Sequence, residues 1–339
     1  MRALVLEEFG GPLTLKDMPT PSIGRQEALV RVRNVGVCGT DLKIRAGRMG
    51  LNVLPLIMGH EVAGEVAEVG SEVQGFAPGD RVTVNFYISC GRCQYCREGR
   101  DTLCREVYQH GFSIDGGFAD YMRTPGVNLC KVPDHVPLDQ ACILADAVAT
   151  SYHAVTKRAQ VRPGKTVVLV GVGGVGLHAL QMARLAGGWT IAVDVNEERL
   201  ELAQRLGANA VVDARRGPFH EPVRRLTGGE GADVVLEFVS NQETLPSSYL
   251  SLKRAGRLVF VGYTPDLPMQ VMPHELMRNE LEIFGSRATI KQELQDTMDL
   301  VAQGRVQPIV DRIFSLENVD LAFDALRQGR SLGRTVVAI

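Results

Sequence analysis

Four of the chain's seven cysteines, Cys90, Cys93, Cys96 and Cys104, fall in one short stretch, "SCGRCQYCREGRDTLC", with the spacing C-x2-C-x2-C-x7-C. A disulfide staple, a redox pair and a metal site compete for such a cluster. Loops this short let four thiolates converge tetrahedrally on one zinc ion at roughly 2.3 Å, because the ion has no geometric preference of its own. An odd total of seven fits a disulfide framework poorly. Iron–sulfur clusters also take four thiolates, but their usual motifs are spaced differently. With all four positions filled, a zinc here has no room for substrate or water; it would stiffen a lobe and leave catalysis to other residues. Cys130 and Cys142 stand alone and read as small buried hydrophobes.

A second pattern is the glycine run in "VVLVGVGGVGLHAL". Gly171, Gly173, Gly174 and Gly176, with Val175 inside the motif, form G-x-G-G-x-G directly after an apolar strand and before a helix. That context suits a tight turn, close backbone approach to a pyrophosphate, and phosphate charge at a helix start. Asp194 follows 23 residues after Gly171, at the end of the next apolar strand "TIAVDV". A carboxylate there can accept both ribose hydroxyls of NAD and would repel the 2′-phosphate of NADP, so NAD is the expected cofactor.

Other chemical residues carry weaker local signals. "NVGVCGTDLK" and "LPLIMGHEVAGEVAEVG" offer Cys38, His60 and Glu61, and "ACILADAVATSYHAV" offers Asp146. Taken singly they read as a core cysteine, a satisfied turn histidine and a helix cap. His153 and His178 sit on predicted helices, where packing explains them. His110, His135, His220 and His274 show no partner spacing.

The elements that must position these residues change in texture along the chain. Up to about residue 145, short β-branched runs broken by Gly and Pro, as in "EALVRVRNVG" and "PGDRVTVNF", predict a sheet-rich domain of irregular strands. From about residue 150, "KTVVLVG", "TIAVDV", "DVVLEFV", "GRLVFVGY" and "LEIFG" alternate with helical stretches such as "GLHALQMARLAG" and "EERLELAQRLGA". Buried runs alternating with amphipathic helices signify βαβ units and a parallel sheet covered on both faces. Beyond about residue 286, "QELQDTMDLVAQG" looks helical and "GRTVVAI" strand-like; periodicity alone does not assign them to either domain.

At 339 residues the chain has room for two domains, each able to bury its own core without staples. Acidic and basic residues nearly balance, 39 against 37, and a net charge of -2 gives no general attraction to nucleic acid or anionic membrane. The start, "MRALVLEEFG", lacks the pattern of a secretory leader, and no apolar run reaches spanning length. These features read as a soluble cytoplasmic protein, where clustered cysteines favour metal or catalysis over disulfides.

"CGTD", "GHEVAGEV", "PGDRV", the four-cysteine lobe, "GGFADY", "GVGGVG" and "GRTVV" together form an ordered set across essentially the whole chain. In this the sequence resembles the zinc-dependent medium-chain dehydrogenases, the alcohol, polyol and threonine dehydrogenase group. The resemblance implies an α/β protein. An irregular, barrel-like (GroES-like) catalytic domain, residues 1–147 with 286–339, would surround a Rossmann domain of residues 148–285, a doubly wound parallel sheet that binds NAD. The active site would lie in the cleft between them. It also implies that Cys38, His60 and Asp146 hold a catalytic zinc, giving two zinc ions per chain with the four-cysteine lobe; Asp146 stands where some members carry Cys and others Glu or Asp. One thiolate, one neutral imidazole and one carboxylate offset a dication and leave a fourth position open to a substrate oxygen. Permanent binding of Glu61 would weaken polarisation of the substrate, so Glu61 is expected behind the ligands or as a transient ligand. Its bland alternative is a buried carboxylate held by a neighbouring arginine.

The family positions also give Thr40 as the hydroxyl that passes the alcohol proton towards the cofactor ribose. Thr150, Val261 and Tyr263 are implied to flank the nicotinamide, Arg199 to contact the adenosine ribose, Arg334 to reach the pyrophosphate, and Phe86 to line an apolar pocket wall. Some members carry a histidine three residues beyond the hydroxyl, but this chain has Lys43. With a pKa of about 10.4 a lysine stays protonated at neutral pH unless buried, so Lys43 is expected to contact the cofactor or face water. The implied reaction is reversible NAD-linked oxidation of a primary or secondary alcohol to its aldehyde or ketone by hydride transfer. The implied partners are a small-molecule substrate and further copies of the chain in a tetramer or dimer. Two other readings stand beside it. A reductase of activated double bonds, of enoyl or acyl-CoA type, uses the same fold without needing Cys38, His60 and Asp146; a noncatalytic NAD-binding protein would turn over no alcohol.

Overall fold

The computed structural model describes residues 1–50 and 53–339. The chain divides into two compact units, Met1–Ala149 with Ala288–Ile339, and Thr150–Arg287.

The first unit is built on the long strand Glu27–Val37, "EALVRVRNVGV", which is buried on both faces at its two ends, over residues 28–30 and 35–37, and leaves Arg31 exposed between them. On one side it pairs antiparallel with Glu61–Val69, matching Gly36 with Glu61. On the other it pairs antiparallel with Arg334–Ala338, matching Val37 with Thr335. The "GRTVVAI" segment therefore belongs to this unit, and so does the helix Lys291–Ala302 that "QELQDTMDLVAQG" predicts. These two registers set His60, Glu61, Cys38 and Arg334 at one end of the sheet. Gly36 is required there, since a Cβ on it would lie 1.9 Å from Glu61 Oε2. Val30, Val35, Val62, Phe118 and Phe323 are among the apolar side chains packed beneath.

The second unit contains six strands, numbered here β1 (Thr166–Val170), β2 (Trp189–Asp194), β3 (Ala210–Asp213), β4 (Ala232–Glu237), β5 (Leu252–Phe260) and β6 (Glu282–Gly285). All pair in parallel, in the order β3-β2-β1-β4-β5-β6. Consecutive buried residues in β1 and β4 explain why their sequences read as unbroken apolar runs. The strand order reverses between β1 and β4, and the crevice at the carboxyl ends of such strands is where open α/β sheets bind ligands.

His110, for which the sequence offered no partner, is buried in the first unit. Its Nδ1 donates to the Asp115 carbonyl at 2.9 Å, and Nε2 faces Thr124 Oγ1 at 3.1 Å. Burial pushes its pKa down to about 4. A neutral folded form must give way to a protonated unfolded one in acid. The associated stability is complete above the ordinary histidine value and is lost as pH falls from about 6.5 towards the folded value. The expected loss is about 3 kcal/mol. Urea unfolding of the wild type and His110→Gln at several pH values checks this: the difference between them should shrink as pH falls across that window, and a constant difference would contradict it.

Candidate metal centres and cofactor site

In the four-cysteine lobe the Sγ atoms of Cys90, Cys93, Cys96 and Cys104 all lie within 4.8 Å of one another. Cys93 and Cys96 sulfurs are 3.5 Å apart, and those of Cys90 and Cys96 4.0 Å. Four sulfurs at zinc–thiolate distance from one ion would be separated by about 3.8 Å. Cys93 opens the short helix Gln94–Arg97, and Cys104 follows the turn Asp101–Leu103, so two local turns bend the loop around a common centre. The backbone N–H of Cys90 already donates to Cys104 Sγ at 3.3 Å. All seven cysteines are free thiols.

The second cluster brings together distant parts of the first unit. Ligand atoms of Cys38, His60, Glu61 and Asp146 also lie within 4.8 Å of one another, and all four residues are buried. Cys38 Sγ is 3.5 Å from Asp146 Oδ2, and His60 Nε2 is 3.7 Å from the same oxygen. Cys38 caps the helix Gly39–Arg45, in whose first turn Asp41 accepts the Cys38 N–H at 2.8 Å. The other Asp41 oxygen stands 3.1 Å from His60 Nδ1, which fixes the ring so that Nε2 points at the cluster. Asp41 went unassigned from sequence although it ends the motif "CGTD". Thr40 Oγ1 lies 3.6 Å from Cys38 Sγ. The His60 ring packs 5.0 Å from both Phe86 and Phe112, and those two phenyl rings stack at 5.8 Å. Phe112 had no signal in the sequence; only the fold places it there.

The charges at this centre invite a cation. The Cys38 thiol and the Glu61 and Asp146 carboxyl groups stand against the Arg334 guanidinium and the His60 ring, with Asp41 adding a further carboxylate behind His60. Burial alone would lower the His60 pKa; the Asp41 charge and bonds to Asp146, Asp41 and Cys38 overcome it and hold the ring well above its ordinary value. Burial likewise opposes the Cys38 thiolate, yet Arg334 and His60 bring the thiol below its usual range. Thiolate, imidazole and carboxylate at these separations are a donor set that suits zinc. Lys43, on the same helix as Thr40, is half-buried, and burial lowers its pKa against the opposing pull of Cys38.

In the second unit, Gly171 turns the chain at the end of β1 with φ +87°, and a Cβ on Gly176 would fall 1.9 Å from the Gly171 carbonyl oxygen. Gly173 faces open space, its nearest neighbour being the Arg199 guanidinium at 3.9 Å from a built Cβ. Asp194, at the end of β2, accepts the backbone N–H groups of Val172, Val195 and Asn196, with Arg199 Nη1 at 3.8 Å. Val261 and Gly262 donate their N–H groups to the carbonyl of Glu237 at the end of β4. Glu237 itself is buried and also accepts from Val239, Ser240 and Ser248, contacts that sequence reading missed. Tyr263 is exposed, whereas Thr150 is buried in the helix Ala147–Tyr152.

Residues 24–134 match the family model described as the alcohol dehydrogenase GroES-like domain, and residues 174–303 match that of the zinc-binding dehydrogenase. An alcohol dehydrogenase of Geobacillus stearothermophilus is 36% identical over 342 residues, covering 100% of both chains. The chain belongs to the zinc-dependent medium-chain dehydrogenase family. A relative named NAD-dependent alcohol dehydrogenase, from Sulfolobus acidocaldarius, is 34% identical over 348 residues, again across 100% of each. The solved alcohol dehydrogenase of the archaeon Aeropyrum pernix superposes with a TM-score of 0.94 at 37% identity, covering 100% of both chains. The two units of this medium-chain dehydrogenase are thus a GroES-like domain and a Rossmann domain, and the protein is an enzyme of the zinc-dependent alcohol dehydrogenase type.

Arg334, which the family positions imply to reach the pyrophosphate, has a buried guanidinium engaged at two of its nitrogens: Nε donates to Glu61 Oε2 at 3.0 Å, and Nη2 donates to Glu61 Oε1 and to Asp146 Oδ2, the latter at 2.9 Å. The pairing of Thr335 with Val37 puts Arg334 beside the end of the strand that leads into Cys38, where the uncompensated carboxylates are. The bland alternative for Glu61, a buried carboxylate held by an arginine, describes its contacts here.

Proposed function

We propose that Cys38, His60 and Asp146 hold the catalytic zinc of this NAD-linked alcohol dehydrogenase and that the four cysteines of the lobe hold a second, purely structural one. The convergence of the three donor atoms around a buried centre, with His60 Nδ1 committed to Asp41, is the observation that carries this reading. When bound there, zinc polarises a substrate oxygen and eases loss of its proton. Thr40, beside Cys38, accepts a hydrogen bond from the alcohol and relays that proton outward. Glu61 stays behind the ligands, because both of its oxygens are engaged by Arg334. Phe86 and Phe112 fix the orientation of His60 and favour an apolar substrate.

The glycine loop with Val175, together with Asp194, Arg199, Thr150, Val261 and Tyr263, receives the cofactor, and NAD is preferred to NADP. The Asp194 carboxylate supports this preference, since a 2′-phosphate would meet its negative charge. We place the enzyme in the cytoplasm as a homo-oligomer, a tetramer or dimer; seven cysteines outside any disulfide suit a reducing compartment. Among the described residues no helix is long and apolar enough to cross a membrane.

A panel of primary and secondary alcohols, diols and amino alcohols, assayed for NADH formation with and without a zinc chelator, tests the reading. NADH formation from apolar alcohols, abolished by the chelator, is the expected result. Reduction of an activated alkene at equal rates in chelated enzyme would replace it with the double-bond reductase.

A further inference from the structure

His178 is fully buried in the first turn of the helix Gly176–Leu185, so it cannot touch a cofactor directly. Its Nδ1 lies 2.6 Å from the carbonyl oxygen of Gly174. A carbonyl only accepts, so the ring carries its proton on Nδ1. In a regular helix the Gly174 carbonyl would take the main-chain N–H of His178. Here that N–H goes to the Val175 carbonyl instead, as does the N–H of Ala179, while the N–H of Leu177 reaches back to Gly173. The His178 side chain therefore supplies the donor that the helical ladder withholds from Gly174. The next carbonyl is secured as well, because Ser151 Oγ donates to Val175 O at 2.8 Å.

A trans peptide points its N–H opposite its carbonyl. With the Gly174 and Val175 carbonyls fixed on His178 and on Ser151 and the helix ladder, the N–H groups of Val175 and Gly176 are turned the other way. They belong to the first donors of the helix, which no helical carbonyl can use and which suit an anion. We propose that His178 is a positioning residue for the cofactor diphosphate: it locks the plane of the Gly174–Val175 peptide so that the glycine loop presents a donor to the phosphate oxygens. This rests on reading the glycine loop as the nucleotide site. Without the imidazole donor the carbonyl of half-buried Gly174 loses its partner, and its peptide is free to rotate towards water or another group.

Asparagine and glutamine variants separate positioning from packing. An asparagine amide nitrogen stands close to the place of Nδ1, whereas that of glutamine reaches the place of Nε2. The test titrates zinc-loaded, full-length wild type, His178→Asn and His178→Gln with NADH, ADP-ribose and adenosine by calorimetry. His178→Gln should bind NADH and ADP-ribose about tenfold more weakly than wild type, and His178→Asn within about threefold of it, since one lost hydrogen bond is worth roughly a factor of ten. Adenosine, which lacks the diphosphate, should bind all three proteins alike. Equal affinities of the two variants for ADP-ribose, whether strong or weak, would overturn the proposal, as would a parallel loss for adenosine. Failure of the wild type itself to bind ADP-ribose would instead refute the assignment of the nucleotide site.

Discussion

His60→Ala is expected to lower kcat/KM for the alcohol by about 10³- to 10⁴-fold, equivalent to ~4–5 kcal/mol of transition-state stabilisation, because metal polarisation is worth several kcal/mol. Zinc content should fall from two ions per chain to one, and NADH should still bind. The argument is geometric. His60 Nε2 faces Asp146 and its Nδ1 is committed to Asp41, so the imidazole is held with one nitrogen aimed into the cluster. Truncation also leaves a hole between Phe86 and Phe112, which makes Cys38→Ser a useful companion: it removes the thiolate with little change in volume and should cost activity to a similar degree. Turnover within tenfold of wild type in both variants, at unchanged zinc content, would remove the second cluster from the chemistry.

Cys93→Ser should have the opposite signature. It too is expected to leave one zinc per chain, but the loss falls on stability. A structural zinc contributes on the order of 10 kcal/mol to holding its ligands together. Losing even part of that should lower the melting temperature by about 10 °C or more in a chain of this size. Turnover per folded molecule at low temperature should stay within about threefold, because a four-thiolate site leaves no position for substrate. Scanning calorimetry and metal analysis on the same preparation decide it. A Cys93→Ser protein that melted like wild type yet failed to turn over would show that the lobe takes part in the reaction.

The contrast between the two centres explains how far each could be read from the sequence. The ligands of the lobe are separated by loops of two, two and seven residues, so their convergence is a local property that spacing alone conveys. Cys38 and Asp146 are 108 residues apart, and nothing local links them; only the order of motifs along the whole chain brought them together on paper. The Rossmann half was legible for a different reason. Parallel strands buried on both faces must be apolar throughout, which leaves a strong signal in β1 and β4. The irregular strands of the first unit carried no mark of which would be neighbours, and the register between Arg334–Ala338 and Glu27–Val37 decided where the Arg334 guanidinium would go. Motif position placed that residue near charge but carried no sign that Glu61 and Asp146 would be its partners. His178 reads from sequence as a packed histidine on a helix, which its burial agrees with, and the missing ladder bond at Gly174 becomes visible only once the backbone is known.

The position of Arg334–Ala338 beside the long central strand bears on how the molecule comes into being. Residues 150–287 emerge from the ribosome with every part of their own sheet in hand, while the unit that began first still lacks an inner strand. Until Arg334 is translated, Glu61 lacks the guanidinium that engages both of its oxygens. The nucleotide-binding half thus has its whole sheet before the half that precedes it in the message, and the Cys38, His60, Glu61 and Asp146 cluster acquires its guanidinium only when Arg334 is translated.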